Sequence, residues 1–244
     1  MSFERVVRLA DAYQMAQVVA CQLLKRIIDL QKTKGTVHVC LTGGRTADMM
    51  YEQFAALAPG SELDHGLLQL WWGDERFVFA TDPQRNSLQA VTRLARTVAI
   101  KSADIHMMPA ADGRLDADDC ASDYAAELGD TTFDITLLGI GEDGHVGSIF
   151  PHHPSFAHTN KSVIGVTDSP KAPSERITLT LATFNRSDEV WFIANGPAKA
   201  HAIASALNAD ESIPASHVRG RTATYWYIDN DAAAELPAPY ECAF

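Results

Sequence analysis

A histidine and an aspartate on a glycine-rich loop are the residues of this 244-residue chain best suited to chemistry. His145 and Asp143 belong to the run Gly-Ile-Gly-Glu-Asp-Gly-His at 139–145, which directly follows the apolar run Ile-Thr-Leu-Leu at 135–138. Glycines let a backbone approach a ligand closely. A carboxylate beside an imidazole can fix its tautomer and raise its basicity. We therefore expect His145 to act as a general base with Asp143 as its partner.

Two other polar motifs have the composition of a phosphate site. Thr-Gly-Gly-Arg-Thr at 42–46 lies between a strand pattern and a helix pattern, so its amides and the helix N-terminus could hold an anion. Gly-Asp-Glu-Arg at 73–76 follows two tryptophans, and Arg76 could bind phosphate bidentately. A simple glycine turn and a solvated charged loop are the alternatives for these two motifs.

The glycines at 139, 141 and 144 also match the dinucleotide-binding fingerprint, which requires the loop to open a helix. Pro151 and Pro154 leave room for only about two helical turns after the last of these glycines. Glu142 and Asp143 would repel a pyrophosphate at that position. The sequence therefore disfavours NAD binding, and the expected site uses no nucleotide.

Metal and serine chemistry fit the same region less well. His152, His153 and His158 follow the glycine loop, but their spacing matches no strong zinc pattern and no cysteine joins them. We therefore expect no metal. Ser148 lies in Gly-Ser-Ile and not in the Gly-x-Ser-x-Gly elbow of serine hydrolases, so attack by water activated at His145 is favoured.

The composition bounds the class of protein. A formal net charge of −11 argues against nucleic acid as a partner, while a small anionic substrate needs only a few local cations. No apolar run reaches the roughly 20 residues needed to span a membrane, and the first residues do not form a secretory signal. The four cysteines form no C-x-x-C pair; Cys21 and Cys40 lie in apolar segments and are expected to be core thiols. A cytoplasmic protein is expected, as a monomer or a homodimer.

Strand and helix patterns alternate along the chain. Apolar and β-branched runs predict strands at 36–41, 67–72, 105–108, 135–138, 162–166, 177–181, 190–194 and 224–228. Helical spacing predicts helices at 12–30, 47–57, 88–96, 116–128 and 198–207. This order predicts a single α/β domain over 1–244, with a mainly parallel, Rossmann-like sheet, helices on both faces and a small additional α+β portion. Ligands of such sheets bind beyond the carboxyl ends of the strands, where the three polar motifs would converge.

The block at 133–151 resembles the signature of the 6-phosphogluconolactonase family. Further blocks resemble those of the family in the same order, at 42–44, 73–76, 82–87, 173–179 and 195–199. The resemblance implies the fold of the superfamily that includes glucosamine-6-phosphate deaminase and ribose-5-phosphate isomerase. It also implies hydrolysis of 6-phospho-D-glucono-1,5-lactone, a phosphorylated sugar lactone, to 6-phosphogluconate, the second step of the pentose phosphate pathway, with no organic cofactor.

Site roles follow from the same resemblance, position by position. His145 would activate water and Asp143 would orient it, while Asp74 and Asn86 would line the sugar. The phosphate would be held by Gly43, Gly44, Arg45, Thr46, Arg76 and Lys199. The chain departs from the family in having Gly-Gly-Arg-Thr-Ala where Gly-Gly-x-Thr-Pro is usual. It also has Gly147 and His152 in place of the usual alanine and glycine. None of these changes removes a group that the reaction needs.

Two other functions remain open at this point. A deaminase of the same superfamily would carry an acid in Phe-Asn-Glu-Pro after the histidine, whereas this chain has Ser-Ile-Phe-Pro at 148–151. A sugar-phosphate sensor would need a DNA-binding module. We find no room for such a module in the chain, and its net negative charge does not suit DNA binding.

Overall fold

The structure is a computed structural model that describes residues 3–113 and 116–236. Its strands are β1 Phe3–Leu9, β2 Val37–Leu41, β3 Leu68–Trp72, β4 Asp74–Arg76, β5 Ile105–His106, β6 Ile135–Leu138, β7 Val163–Val166, β8 Arg176–Leu179, β9 Glu189–Ala194 and β10 Ala223–Asp229. Its helices are α1 Ala12–Lys34, α2 Arg45–Leu57, α3 Asn86–Leu94, α4 Ala117–Leu128, α5 Leu181–Phe184 and α6 Ala200–Leu207.

Seven of these strands form the main sheet, in the order β1-β10-β9-β6-β2-β3-β5. Every pairing within it is parallel, as the alternation of helices and strands predicted. The carboxyl ends of its strands therefore share one edge, and the loops after β2, β3 and β6 meet there.

The main sheet has a hydrophobic core on each face. Successive side chains of a strand point to opposite faces, and neighbours in β6 and β9 accordingly belong to different buried clusters. Helices α1, α2 and α3 contribute to one cluster, and α4 and α6 contribute to the other. The prediction of helices on both faces is confirmed. Among the described residues, no helix has the length and apolar character to cross a membrane.

A second, antiparallel sheet of three strands has the order β4-β8-β7 and accounts for the predicted additional portion. It begins one residue after β3, and Gly73 links the two sheets. The Gly73 amide donates to the Leu41 carbonyl of β2 at 2.9 Å, and its carbonyl accepts from the Leu179 amide of β8 at 2.8 Å. A Cβ at Gly73 would lie 3.0 Å from the ring of Phe184, so a larger residue would crowd this link. Residues 74–76 of the polar motif thus form a short strand and not the solvated charged loop that was the alternative for this motif.

Three further expectations need correction. The edge strand β1 was not predicted; it pairs with β10 along its whole length. The strand predicted for 177–181 ends at Leu179, because Thr180 caps α5 by accepting a hydrogen bond from the Thr183 amide. Cys21 lies on the exposed side of α1 and is not a core thiol, whereas Cys40 and Cys120 are buried. Cys242 lies outside the described residues.

Candidate active site

The three polar motifs meet at the carboxyl edge of the main sheet, around a cavity of about 300 Å³. Its walls are formed by the loops after β2 and β6, strand β4, the start of α3, the segment that leads into β8 and the turn before α6. Of the residues expected from sequence, the cavity is lined by Gly43, Gly44, Asp74, Arg76, Asn86, His145 and Lys199. The predicted convergence of the three motifs is therefore present.

The imidazole of His145 is held by Asp143. Its Nδ1 lies 2.5 Å from Asp143 Oδ1, and the His145 carbonyl accepts a hydrogen bond from the Gly141 amide at 2.9 Å. Because the carboxylate accepts from Nδ1–H, the lone pair is on Nε2, the nitrogen needed for a general base. The ring packs against Phe150, with 4.7 Å between centroids. Asp143 itself contacts the histidine but does not line the cavity.

Charge around Asp143 keeps it ionised. Burial alone would raise the pKa of the Asp143 carboxyl, but the hydrogen bond and charge of His145, with the charge of Lys171, hold the pKa well below its ordinary value. Lys171 Nζ lies 3.7 Å from Asp143 Oδ1. The carboxylate is therefore available at neutral pH to stabilise an imidazolium.

The loop at 42–46 leads into α2 and leaves the first amides of that helix without a side-chain cap. Its N-cap, Gly44, has a φ of 101°, a conformation that favours glycine. The Tyr51 hydroxyl fixes the loop by donating to the Thr42 carbonyl at 2.7 Å. Uncapped amides at a helix N-terminus form an anion site, so this geometry suits a phosphate.

Arg45 and Thr46 line an adjoining cavity of about 550 Å³ that shares Gly43, Gly44 and Lys199 with the first. Thr46 Oγ1 donates to Asn195 Oδ1 at 2.5 Å, which ties this loop to the turn before α6. Burial, and next the charge of Lys171, lower the pKa of Lys199. Arg45 and Thr46 are thus close to the main cavity but separate from the histidine.

Asp74 and Asn86 form one buried group. Asn86 Nδ2 donates to the Asp74 carbonyl at 3.0 Å and to Oδ1 at 3.3 Å, and Ser148 Oγ donates to Asp74 Oδ2 at 2.8 Å. Asn86 Oδ1 and Arg76 Nε are buried polar atoms without a partner within the described part of the chain. Buried polar groups are nearly always satisfied, so these two atoms are candidates to bind a ligand.

Comparison with known proteins identifies the family. A sequence model of the glucosamine-6-phosphate isomerases/6-phosphogluconolactonase family matches residues 10–226. The chain belongs to this family. Family membership agrees with the resemblance inferred from the motifs at 42–44, 73–76 and 133–151.

Relatives within the family match over most of their length. The chain is 40% identical to the 6-phosphogluconolactonase of Streptomyces coelicolor, over 93% of this chain and 92% of that protein. It is 34% identical to the human 6-phosphogluconolactonase, over 82% of this chain and 81% of that one. The crystal structure of 6-phosphogluconolactonase from Thermotoga maritima has a TM-score of 0.83 at 27% identity, covering 93% of this chain and all of that one. A monomeric glucosamine-6-phosphate deaminase shares the fold, with a TM-score of 0.79 at 23% identity.

Two basic residues that line this cavity were not predicted from the sequence. Lys171 and Arg176 line the cavity beside His145. Lys171 lies in the irregular Pro-Lys-Ala-Pro run at 170–173, which carries no periodic pattern. Arg176 begins β8 and is 4% exposed. The one available signal concerned Arg176, which lies within the block at 173–179 that resembles the family; Lys171 lies two residues before that block.

The structure bears on two alternatives that the glycine loop and the histidines after it had raised, a dinucleotide site and a metal site. The chain does not enter a helix directly after Gly144. It turns and forms a bridge between Val146 and Ile149, so the requirement of the dinucleotide fingerprint is not met. His153 makes bonds to Ser155 Oγ and to the Thr167 carbonyl. Within residues 3–113 and 116–236, no group of three or more His, Cys, Asp or Glu side chains could hold a metal ion.

Proposed function

We propose that the protein hydrolyses 6-phospho-D-glucono-1,5-lactone to 6-phospho-D-gluconate, the second step of the oxidative branch of the pentose phosphate pathway. The observation that carries this proposal is His145, which is held by Asp143 and lines a cavity that also contains cations. The chain is 40% identical to a 6-phosphogluconolactonase over 93% of its length. The enzyme is a carboxylic ester hydrolase.

His145 is the general base in this mechanism. Its Nε2 removes a proton from water while the water oxygen attacks the lactone carbonyl, and Asp143 stabilises the imidazolium that forms. The tetrahedral intermediate collapses, the bond between C1 and the ring oxygen breaks, and the imidazolium returns its proton to that oxygen. A positioned base contributes about 10²–10⁴-fold to such a reaction. Water is the only co-substrate, and no organic cofactor is required.

The phosphate and the sugar are held by the rest of the cavity. Asp74 and Asn86 bind sugar hydroxyls, for which the unpartnered Asn86 Oδ1 supports a role as acceptor. The phosphate is bound by Gly43, Gly44, Arg45, Thr46, Arg76 and Lys199. Binding a phosphate remote from the reacting carbon positions the carbonyl at His145.

The remaining properties belong to the same proposal. The chain acts as one domain in the cytoplasm, as a monomer or a homodimer. A net charge of −11 argues against nucleic acid as a partner.

The test generates the lactone in situ with glucose-6-phosphate dehydrogenase and follows its disappearance with the purified protein. Hydrolysis well above the spontaneous rate supports the proposal; the spontaneous rate with folded protein contradicts it. The same samples are given glucosamine 6-phosphate and assayed for ammonia. Release of ammonia would favour the deaminase, which lacks support here because 148–151 carries no acid. Binding of 6-phosphogluconate without either activity would favour a sensor.

A further inference from the structure

Lys171 joins the His145–Asp143 pair from a separate loop. Its Nζ lies 3.7 Å from Asp143 Oδ1 and 3.5 Å from His145 Nδ1. One carboxylate oxygen therefore faces both the imidazole and an ammonium group. The Lys171 side chain is 44% exposed, so its charge is partly screened, while His145 is 17% exposed.

A buried guanidinium fixes the loop that carries Lys171. Arg176 Nη2 donates to the Lys171 carbonyl at 2.8 Å and to the Ala172 carbonyl at 3.1 Å, and its Nε donates to the Pro173 carbonyl at 3.1 Å. Three successive carbonyls thus accept from one side chain. The Arg176 guanidinium also lies 5.7 Å from the centroid of the Phe150 ring, against which His145 packs. The backbone of Lys171 is thereby placed with respect to the imidazole.

The charged groups around the imidazole come from several segments. Asp143 and Glu142 are on the glycine loop, and Lys171 is on the loop before β8. Asp74 and Arg76 of β4, Arg176 of β8, and Lys199 before α6 line the same cavity as His145. A carboxylate beside an imidazole favours the protonated ring, and a cation at the same place disfavours it. The charge of Lys171 therefore offsets part of the charge that Asp143 places beside the His145 ring.

We propose that Lys171 is a positioning residue that shares Asp143 with His145 and disfavours protonation of the imidazole, which leaves the ring ready to act as a base. The inference rests on the proposed function, in which His145 is the general base. Lys171 acts through its charge on Asp143 and on His145 Nδ1, and not on the substrate. Its positive charge is the property that matters, so arginine should replace it and a neutral side chain of similar length should not.

The test compares Lys171→Met with Lys171→Arg, and uses Lys101→Met as a control at an exposed lysine outside the cavity. In Lys171→Met, we expect the acidic limb of the pH profile of kcat/KM to move to higher pH by about 0.5–1 unit, since the lost charge is partly screened. The loss of activity should therefore be larger at pH 6 than at pH 8. Lys171→Arg and Lys101→Met should keep the wild-type limb.

A second measurement does not depend on activity. The ring signals of His145, assigned by their loss in His145→Gln, are titrated by NMR in the free enzyme, and their midpoint should move with the acidic limb in Lys171→Met. If the wild type lacks lactonase activity, the proposed function fails while this titration still tests the coupling.

Three results would overturn the inference. If Lys171→Met raises KM but leaves the acidic limb and the NMR midpoint unchanged, Lys171 is a phosphate ligand. An unmoved limb and midpoint with a lowered kcat would make it a direct partner of the substrate carbonyl. Wild-type values of the acidic limb, the midpoint, KM and kcat in Lys171→Met would show that Lys171 has no role in the reaction.

Discussion

The His145–Asp143 pair fills the space that a side chain at residue 141 would need. A Cβ built on Gly141 would lie 1.9 Å from His145 Nδ1 and 2.3 Å from Asp143 Oδ1. Gly139, on the same loop, has no atom within 4 Å of such a Cβ. The glycine at 141 is therefore required by the imidazole, while the one at 139 is free of this constraint.

Gly141→Ala should lower kcat by about 10²–10⁴-fold, because the added methyl must displace the base from its place. The clash is with side-chain atoms that can move, so the thermal midpoint should change much less than the activity. Gly139→Ala is the matched control and should leave the His145 ring in contact with Asp143. Steady-state kinetics with thermal melts of both variants check this; an unchanged kcat in Gly141→Ala would contradict it.

Single residues differ in how far the sequence reveals them. His145 and Asp143 could be predicted because glycine spacing after an apolar run marks a functional loop locally. Lys171 and Arg176 could not, since their importance comes from contacts with a loop that lies about 25 to 30 residues earlier in the chain. Tertiary contacts of this kind leave no periodic pattern.

Strand β4 and helix α3 are joined by one buried carboxylate, that of Glu75. Its Oε1 accepts from the amides of Arg76 and Asn86 at 2.8 and 2.7 Å, and its Oε2 accepts from the Ser87 amide at 2.8 Å. Arg85 Nη2 lies 3.6 Å from Oε2. Glu75 thus caps α3, which has no side-chain cap from its own N-cap residue, and places two of the residues that line the cavity.

Glu75→Ala should lower the free energy of unfolding by about 3–5 kcal/mol, because it leaves the buried Arg85 charge without its carboxylate. The substitution should also raise KM, since Arg76 and Asn86 lose their common anchor. Urea denaturation and steady-state kinetics measure the two effects. Glu62→Ala, which removes an exposed pair with Lys32, is the control and should leave the denaturation midpoint unchanged. A loss below about 1 kcal/mol in Glu75→Ala would refute the capping role.

At the scale of elements, segments with a clear apolar or helical pattern could be predicted, even short ones such as β6, and segments without such a pattern could not. Helix α1 begins where Asp11 caps it, as its sequence indicates. Strand β4 consists of Asp-Glu-Arg, which has no strand pattern and is extended only because it pairs with β8. Strand β1 has charged residues interspersed with apolar ones, as suits an edge.

The whole molecule carries a pH-sensitive contact away from the cavity. Trp71 Nε1 donates to His38 Nδ1 at 3.1 Å, so this imidazole is bound in its neutral form. Burial, with smaller effects of Lys34 and His106, lowers the pKa of His38 against the opposing charge of Asp134. The folded state therefore binds a proton at His38 less readily than the unfolded state.

Stability should fall as the pH drops below about 6.5, the ordinary pKa of histidine, because only the unfolded chain gains that proton readily. Above that pH, the contribution of His38 is fully present. In His38→Gln, whose side-chain oxygen can still accept from Trp71, the thermal midpoint should depend less on pH between 7.5 and 5.5. His158→Gln, at an exposed histidine, should keep the wild-type slope, and an equal slope in both variants would exclude His38 as the cause.

Loss of the lactone in the presence of wild-type protein and of His145→Gln tests the central claim most directly. The lactone is generated in situ, and folding of the variant is verified by its thermal melt. The wild type should hydrolyse the lactone well above the spontaneous rate, and His145→Gln should lose at least about 10²-fold of that rate, because its amide cannot take a proton from water. A folded His145→Gln protein with the wild-type rate would contradict the account.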